Sequence, residues 1–100
     1  MKIDPSVFVH PMAALHGDLE IGKNSSIWAS AVIRADFNYI KIGRYTSIQD
    51  NATLHCSPAH PTIVGDYVTI AHATVVHACT IGNRVMVGIG ATVLDGAQVG

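Results

Sequence analysis

The stretch IGKNSSIWASAVIRADFNYIKIGRYTSIQDNATLH, Ile21 to His55, decides the fold. Its aliphatic residues recur at intervals of six: Ile21, Ile27 and Ile33, then Ile42, Ile48 and Leu54. An amphipathic helix repeats every three or four positions and a half-buried strand every two, so a period of six fits neither. It fits a solenoid in which each hexad forms one side of a triangular coil, with the aliphatics pointing inward and stacking from coil to coil. The same triplets continue on both sides, as Ile3, Val9 and Leu15 upstream and as Val64, Ile70, Val76 and Ile81, Val87, Val93 downstream. Val99 opens a further triplet.

Two subsidiary columns accompany the aliphatics. Small or β-branched residues stand four places after them, at Ser25, Ala31, Thr46, Ala52, Val68, Thr74, Val85, Ala91 and Ala97. There they let the chain turn a corner without crowding the interior. Glycine follows the first aliphatic of every group after the first, at Gly22, Gly43, Gly65, Gly82 and Gly100. This column is expected to supply the permissive backbone angles of a tight corner. The prediction is an all-β parallel β-helix of about five triangular coils, in one domain over residues 1–100, with no long helix. Residues 1–20 form an N-terminal coil, 21–98 the regular coils, and 99–100 the start of an uncompleted one.

Departures from the period mark where function is placed. IRADFNYIK carries three extra residues and LHCSPAHPTI four, which predicts loops at 34–41 and 55–63 on one side of the prism. One residue is missing between Ile70 and Ile81, in VHACT or equally in IAHAT. Insertions confined to one side of a solenoid commonly carry its binding surface.

Bulk properties narrow the class. With 49% hydrophobic and 13% charged residues and a net charge of −1, the chain is neither disordered nor a basic nucleic-acid binder. No apolar run reaches membrane-spanning length, and Asp4 and Pro5 interrupt the segment where a signal peptide needs its apolar core. The expected location is cytoplasmic. Cys56 and Cys79 lie too far apart for a C-x-x-C motif and are read as reduced thiols.

Stacking the triplets turns offsets into neighbours. One place after the third aliphatic stand His16, Arg34, His55, His77 and Leu94, so His55 and His77 occupy adjacent coils about 4.8 Å apart. Both imidazoles then reach one cation at about 2.0–2.1 Å. His72 follows a second aliphatic by two places, in the column Ala29, Asp50, His72, Ile89, and belongs to another side. Five residues of extended chain span up to about 16 Å, so His72 and His77 are poorly placed to share an ion within one chain. If all three bind one metal, His72 comes from a neighbouring copy, as in a closed ring of three.

The segments SSIWASAVIRADFNYIKIGRYTSIQDNATLH, VTIAHATVVHACTIG and GIGATVLDGAQVG, within Gly17 to Gly100, resemble the γ-class carbonic anhydrase family of hexapeptide-repeat proteins. The resemblance implies a left-handed β-helix, a homotrimer and a divalent metal between subunits, usually zinc, with Fe2+ or Co2+ as alternatives. It implies ligands His55 and His77 from one chain and His72 from the next. Gln49, in IQDN, matches the glutamine that hydrogen-bonds the metal's water ligand. Arg34 and Asp36, in IRAD, match a charged pair at the subunit interface, and Asp50 matches the acid that partners this arginine.

Two features depart from that pattern. Phe37 follows Asp36, and CSPAHP holds no acid, so the glutamate proton shuttles of the family are missing; His60 is the substitute this loop offers. Family members continue through further coils into a C-terminal helix, and the expectation for this sequence is a β-helix without them. A solenoid end without such a cap is expected to lower stability and favour end-to-end association.

The implied activity is reversible hydration of carbon dioxide to bicarbonate, because three imidazoles leave zinc a fourth position for water. The small-molecule substrate needs no nucleic acid or membrane partner. Two alternatives belong to other classes: an acyltransferase or thioesterase acting on a coenzyme A ester, and a non-catalytic metal-binding or assembly module. Cys56, next to His55, is a further soft donor.

Overall fold

The computed structural model describes residues 1–100, built of strands, turns and bends with no helix. No helix is therefore long and apolar enough to cross a membrane. In chain order the first strands are β1 (Lys2–Ile3), β2 (Phe8–Val9), β3 (Ala14–Ile21), β4 (Ser26–Ile27), β5 (Val32–Ile42), β6 (Ser47–Ile48) and β7 (Thr53–His55). The rest are β8 (Thr62–Val64), β9 (Thr69–Ile70), β10 (Val75–His77), β11 (Thr80–Ile81), β12 (Met86–Val87), β13 (Thr92–Val93) and β14 (Gln98–Val99). Every pairing is parallel.

The pairings build three faces of a prism. The first stacks β1, the end of β3, the end of β5, β8, β11 and β14, aligning Ile3, Ile21, Ile42, Val64, Ile81 and Val99. The second stacks β2, β4, β6, β9 and β12, aligning Val9, Ile27, Ile48, Ile70 and Val87. The third stacks the starts of β3 and β5 with β7, β10 and β13, aligning Leu15, Ile33, Leu54, Val76 and Val93. These are the predicted triplets. The hexapeptide-repeat reading is thus borne out, as a left-handed parallel β-helix. Ile27, Ile33, Ile48, Leu54, Ile70 and Val76 have no exposed surface, each contributing about 1.5–3 kcal/mol of transfer free energy before ordering costs. The small-residue column also points inward: Ala31, Ala52 and Thr74 are fully buried, and Ser25, Thr46 and Val68 nearly so.

The glycine column has a different cause from the one the sequence suggests. Gly22, Gly43, Gly65 and Gly82 do not take left-handed angles; of the column only Gly100 has a positive φ, 85°. Instead their faces touch the next coil: a Cβ on Gly43 would lie 2.6 Å from the carbonyl carbon of Gly65, and one on Gly22 2.7 Å from that of Gly43. The column is glycine because stacked backbones leave no room for a methyl group. The left-handed angles fall two residues later, at Asn24, Tyr45, Tyr67 and Arg84, with φ between 53° and 59°.

The interruptions are also resolved. Residues 34–41, predicted as a loop, run as continuous strand within β5, and Ala35 and Ile40 are buried in the core. The extra residues are absorbed by a strand that bends from the third face onto the first, not by a detached loop. The second insertion leaves the strands between β7 and β8. The missing residue lies in VHACT: Val76 pairs with Leu54 and Ile81 with Val64, while Ala78, at φ 51°, takes the shortened corner. The buried Thr62 hydroxyl secures that corner, donating to the His55 carbonyl and accepting from the Ala78 N–H.

Candidate metal centre

The third face carries a chain of ionisable groups. β7 and β10 pair in register with His77 opposite His55, and β5 places Arg34 opposite His55 on the other side. The two imidazoles, both half-buried, stand with centroids 5.1 Å apart. His55 Nδ1 lies 3.2 Å from His77 Nε2. Each outer ring nitrogen meets a carboxylate: His55 Nε2 is 2.8 Å from Asp36 Oδ1, and His77 Nδ1 is 2.6 Å from Asp95 Oδ1. Arg34 Nε is 3.2 Å from the other Asp36 oxygen. The order is therefore Arg34, Asp36, His55, His77, Asp95. A depression of about 260 Å³ lined by Val32, Arg34, Thr53, Leu54, His55 and His77 opens onto it.

The electrostatics follow from these contacts. The hydrogen bond from His77 holds the Asp95 carboxyl below the ordinary carboxylate range; partial desolvation opposes it, and the charges of His77 and His60 assist. Desolvation works to raise Asp36, but hydrogen bonds from His55 and the Phe37 N–H, with the Arg34 charge, outweigh it and leave the carboxyl lowered. Ionised carboxylates accept only, so each outer imidazole nitrogen carries the proton. Both inner nitrogens of neutral rings then present lone pairs to each other at 3.2 Å, an arrangement that needs a shared proton or a cation. Two nitrogens of a tetrahedral zinc set, each at about 2.0–2.1 Å, lie about 3.3–3.4 Å apart, so the observed 3.2 Å fits the pair. Carboxylates on the outer nitrogens are the usual support of metal-bound histidines.

The other sequence-predicted residues stand elsewhere. Gln49, Asp50 and His72 belong to the second face and its following corner, where Asp50 Oδ1 lies 3.4 Å from His72 Nδ1, as the column Ala29, Asp50, His72, Ile89 predicts. Within the chain Asp50 therefore partners His72, while Arg34 partners Asp36. The structure brings together Arg34, Asp36, His55 and His77, and separately Asp50 and His72. Cys56 Sγ, the soft donor noted from sequence, groups with Asp36 and His55 within 4.8 Å but is fully buried. Cys56 and Cys79 are free thiols, and burial raises that of Cys79. Asp95 is a site residue that the sequence reading misses.

The chain is similar to several known proteins. The chain is 45% identical over 103 residues to gamma carbonic anhydrase 1, mitochondrial, from Arabidopsis thaliana, covering 97% of this chain and 38% of that protein. It is 37% identical over 99 residues to a carbonic anhydrase of Geobacillus kaustophilus, covering 99% and 54% respectively. Among solved structures, a hexapeptide transferase family protein from Anaplasma phagocytophilum superposes with a TM-score of 0.75 at 30% identity, covering 97% of this chain and 71% of that one.

The chain belongs to the γ-class carbonic anhydrase-like family of hexapeptide-repeat proteins. No protein-family model matches it. This γ-class carbonic anhydrase-like chain spans 38% and 54% of the lengths of the two curated relatives.

Proposed function

We propose that the protein hydrates carbon dioxide reversibly to bicarbonate, with a divalent metal held by His55 and His77 of one copy and His72 of the next in a homotrimer. The observation that carries this reading is the 3.2 Å approach of two imidazole nitrogens whose outer partners are both carboxylates. Zinc is the preferred ion, with Fe2+ or Co2+ as alternatives; it would supply activation of water at neutral pH.

The chain's own residues have defined tasks in this scheme. His55 and His77 hold the cation. Asp36 fixes the His55 ring and is itself fixed by Arg34. Asp50 holds His72 at the other half-site, and Gln49, between the end of β6 and Asp50, orients the attacking oxygen by hydrogen bonding. His60, close enough to Asp95 to influence its charge, receives the outgoing proton in place of the absent loop glutamates. Exposed apolar side chains on the two faces involved, Phe8, Trp28 and Met86 on the second and Val32 and Leu94 on the third, support contact between copies.

Metal content per chain, oligomeric mass and carbon dioxide hydration of the unmodified protein and His72→Ala test the proposal. One metal per chain in a trimer, with metal and hydration both lost in the variant, is expected. A protein that stays metal-free after addition of zinc, or of iron under reducing conditions, would sink it. The likeness to a hexapeptide transferase family protein favours, as second reading, acyl transfer from a coenzyme A ester. Activity that requires coenzyme A and ignores chelators would select that reading.

A further inference from the structure

We infer that Asp95 is a positioning residue for the metal centre: it fixes the His77 tautomer that leaves Nε2 free for the cation. The inference rests on the metal reading given above and extends it to a residue outside the histidine set.

The fold delivers Asp95 by a local device. β10 pairs with β13 only at Val75–Thr92 and Val76–Val93, so His77 has no strand partner on that side. Beyond Val93 the chain turns. The Ala97 N–H bonds to the Leu94 carbonyl at 3.1 Å, and the Gly96 N–H to the Ala78 carbonyl at 2.8 Å. Gly96 adopts φ 76°, which a side chain would disfavour. The turn is thus tied to the shortened corner that follows His77, and it swings the Asp95 carboxylate to 2.6 Å from His77 Nδ1. Other coils hold Gly17, Ala35, Cys56 and Ala78 two places after the third aliphatic, none charged. Asp95 is the one carboxylate the column provides.

The chemical consequence is specific. A neutral imidazole carries one ring proton and exchanges it between two nitrogens. A carboxylate that only accepts draws the proton to Nδ1, leaving the Nε2 lone pair aimed at His55 Nδ1, 3.2 Å away. Without Asp95, His77 is free to take the Nε2–H form, which turns a donor toward the cation's place and must rearrange before binding. Outer carboxylates of this kind typically contribute about 10–100-fold in metal affinity.

The test uses two readouts on the full chain and on Asp95→Asn and Asp95→Glu. One is competition for Zn2+ against a chromophoric chelator; the other is the nitrogen chemical shifts of 15N-labelled histidine in metal-free protein. Expected are an Nδ1–H tautomer for His77 in the unmodified protein, its loss in Asp95→Asn, and zinc affinity lowered about 10–100-fold in that variant. Asp95→Glu should restore part of both, at unchanged thermal midpoint. Equal zinc affinity in the unmodified protein and Asp95→Asn overturns the inference. So does an Nε2–H tautomer in the unmodified protein, a result that needs no variant to fold. If the unmodified protein shows the Nδ1–H tautomer yet binds no zinc, the metal reading fails and the cation role of Asp95 falls with it, leaving only its hold on the ring.

Discussion

The two halves of the candidate centre are built differently. On the third face, His55 and His77 are half-buried, meet ring to ring, and each leans on a carboxylate at 2.8 Å or less. On the second face, His72 is exposed, with a side chain 52% accessible and one partner, Asp50, at 3.4 Å. The third-face half is organised by its own chain through strand register and turn geometry. The second-face half has a donor but little that fixes it. Preorganisation thus resides in the half that the strands pair directly, whereas His72, the ligand proposed from the second face, leans on Asp50 alone.

The largest effect on this contrast comes from the layer beneath it. Leu54 is fully buried under His55 on β7, and Leu54→Ala should cost about 2–5 kcal/mol in urea unfolding and loosen the histidine pair. A cost below about 1 kcal/mol would mean that the third face is not the rigid half. Next, His77→Ala in metal-free protein removes the partner of both His55 and Asp95 and should cost about 1–2 kcal/mol. His72→Ala should stay within about 0.5 kcal/mol. Equal losses in the two variants would erase the distinction.

A pH series sharpens the same point. Asp36 and Asp95 are both held below the ordinary carboxylate range in the folded chain, by their hydrogen bonds from His55 and His77. The sign is fixed by linkage: a depressed carboxylate stabilises the fold above its unfolded value, and this is lost as pH falls through the lower, folded value. Urea midpoints of the unmodified protein and of the Asp36→Asn, Asp95→Asn double variant should therefore differ near neutrality and converge as pH drops below about 3.8. A constant gap down to pH 2 would show that these carboxylates do not hold the histidines through charge.

Much of this architecture is legible in the sequence because a period of six converts position into place. Counting alone puts His55 beside His77 and His72 beside Asp50, and both contacts exist. Asp95 escapes the count because it lies past the last paired residue of β13, on a turn whose course depends on the Gly96 backbone. The glycine column is visible in sequence but its cause is not, since the 2.6 Å that would separate a Cβ on Gly43 from the Gly65 carbonyl carbon is set by the spacing between coils. Left-handed angles at Tyr45, Tyr67 and Arg84 are likewise unreadable, because such residues ordinarily avoid them. Stacking offsets that cost here: Tyr45 and Tyr67 lie parallel with centroids 5.1 Å apart, and the Arg84 guanidinium sits 5.4 Å from the Tyr67 ring.

A further small effect is predicted on the first face, which supplies no residue of either half. Its outward strand positions are Lys2, Glu20, Lys41, Ile63, Thr80 and Gln98, mostly polar, in contrast to Phe8, Trp28 and Met86 on the second face. Glu20 and Lys41 face each other at 3.6 Å with side chains about half exposed, a geometry in which solvent screens most of the attraction. Lys41→Gln should shift stability by less than about 1 kcal/mol and leave oligomeric mass and metal content unchanged. A larger loss confined to stability would mark a stronger ion pair than the geometry suggests. Dissociation of the proposed trimer would be the more serious result, because it would move the contact between copies onto the first face. His72 of one copy would then have no route to the His55–His77 pair of another.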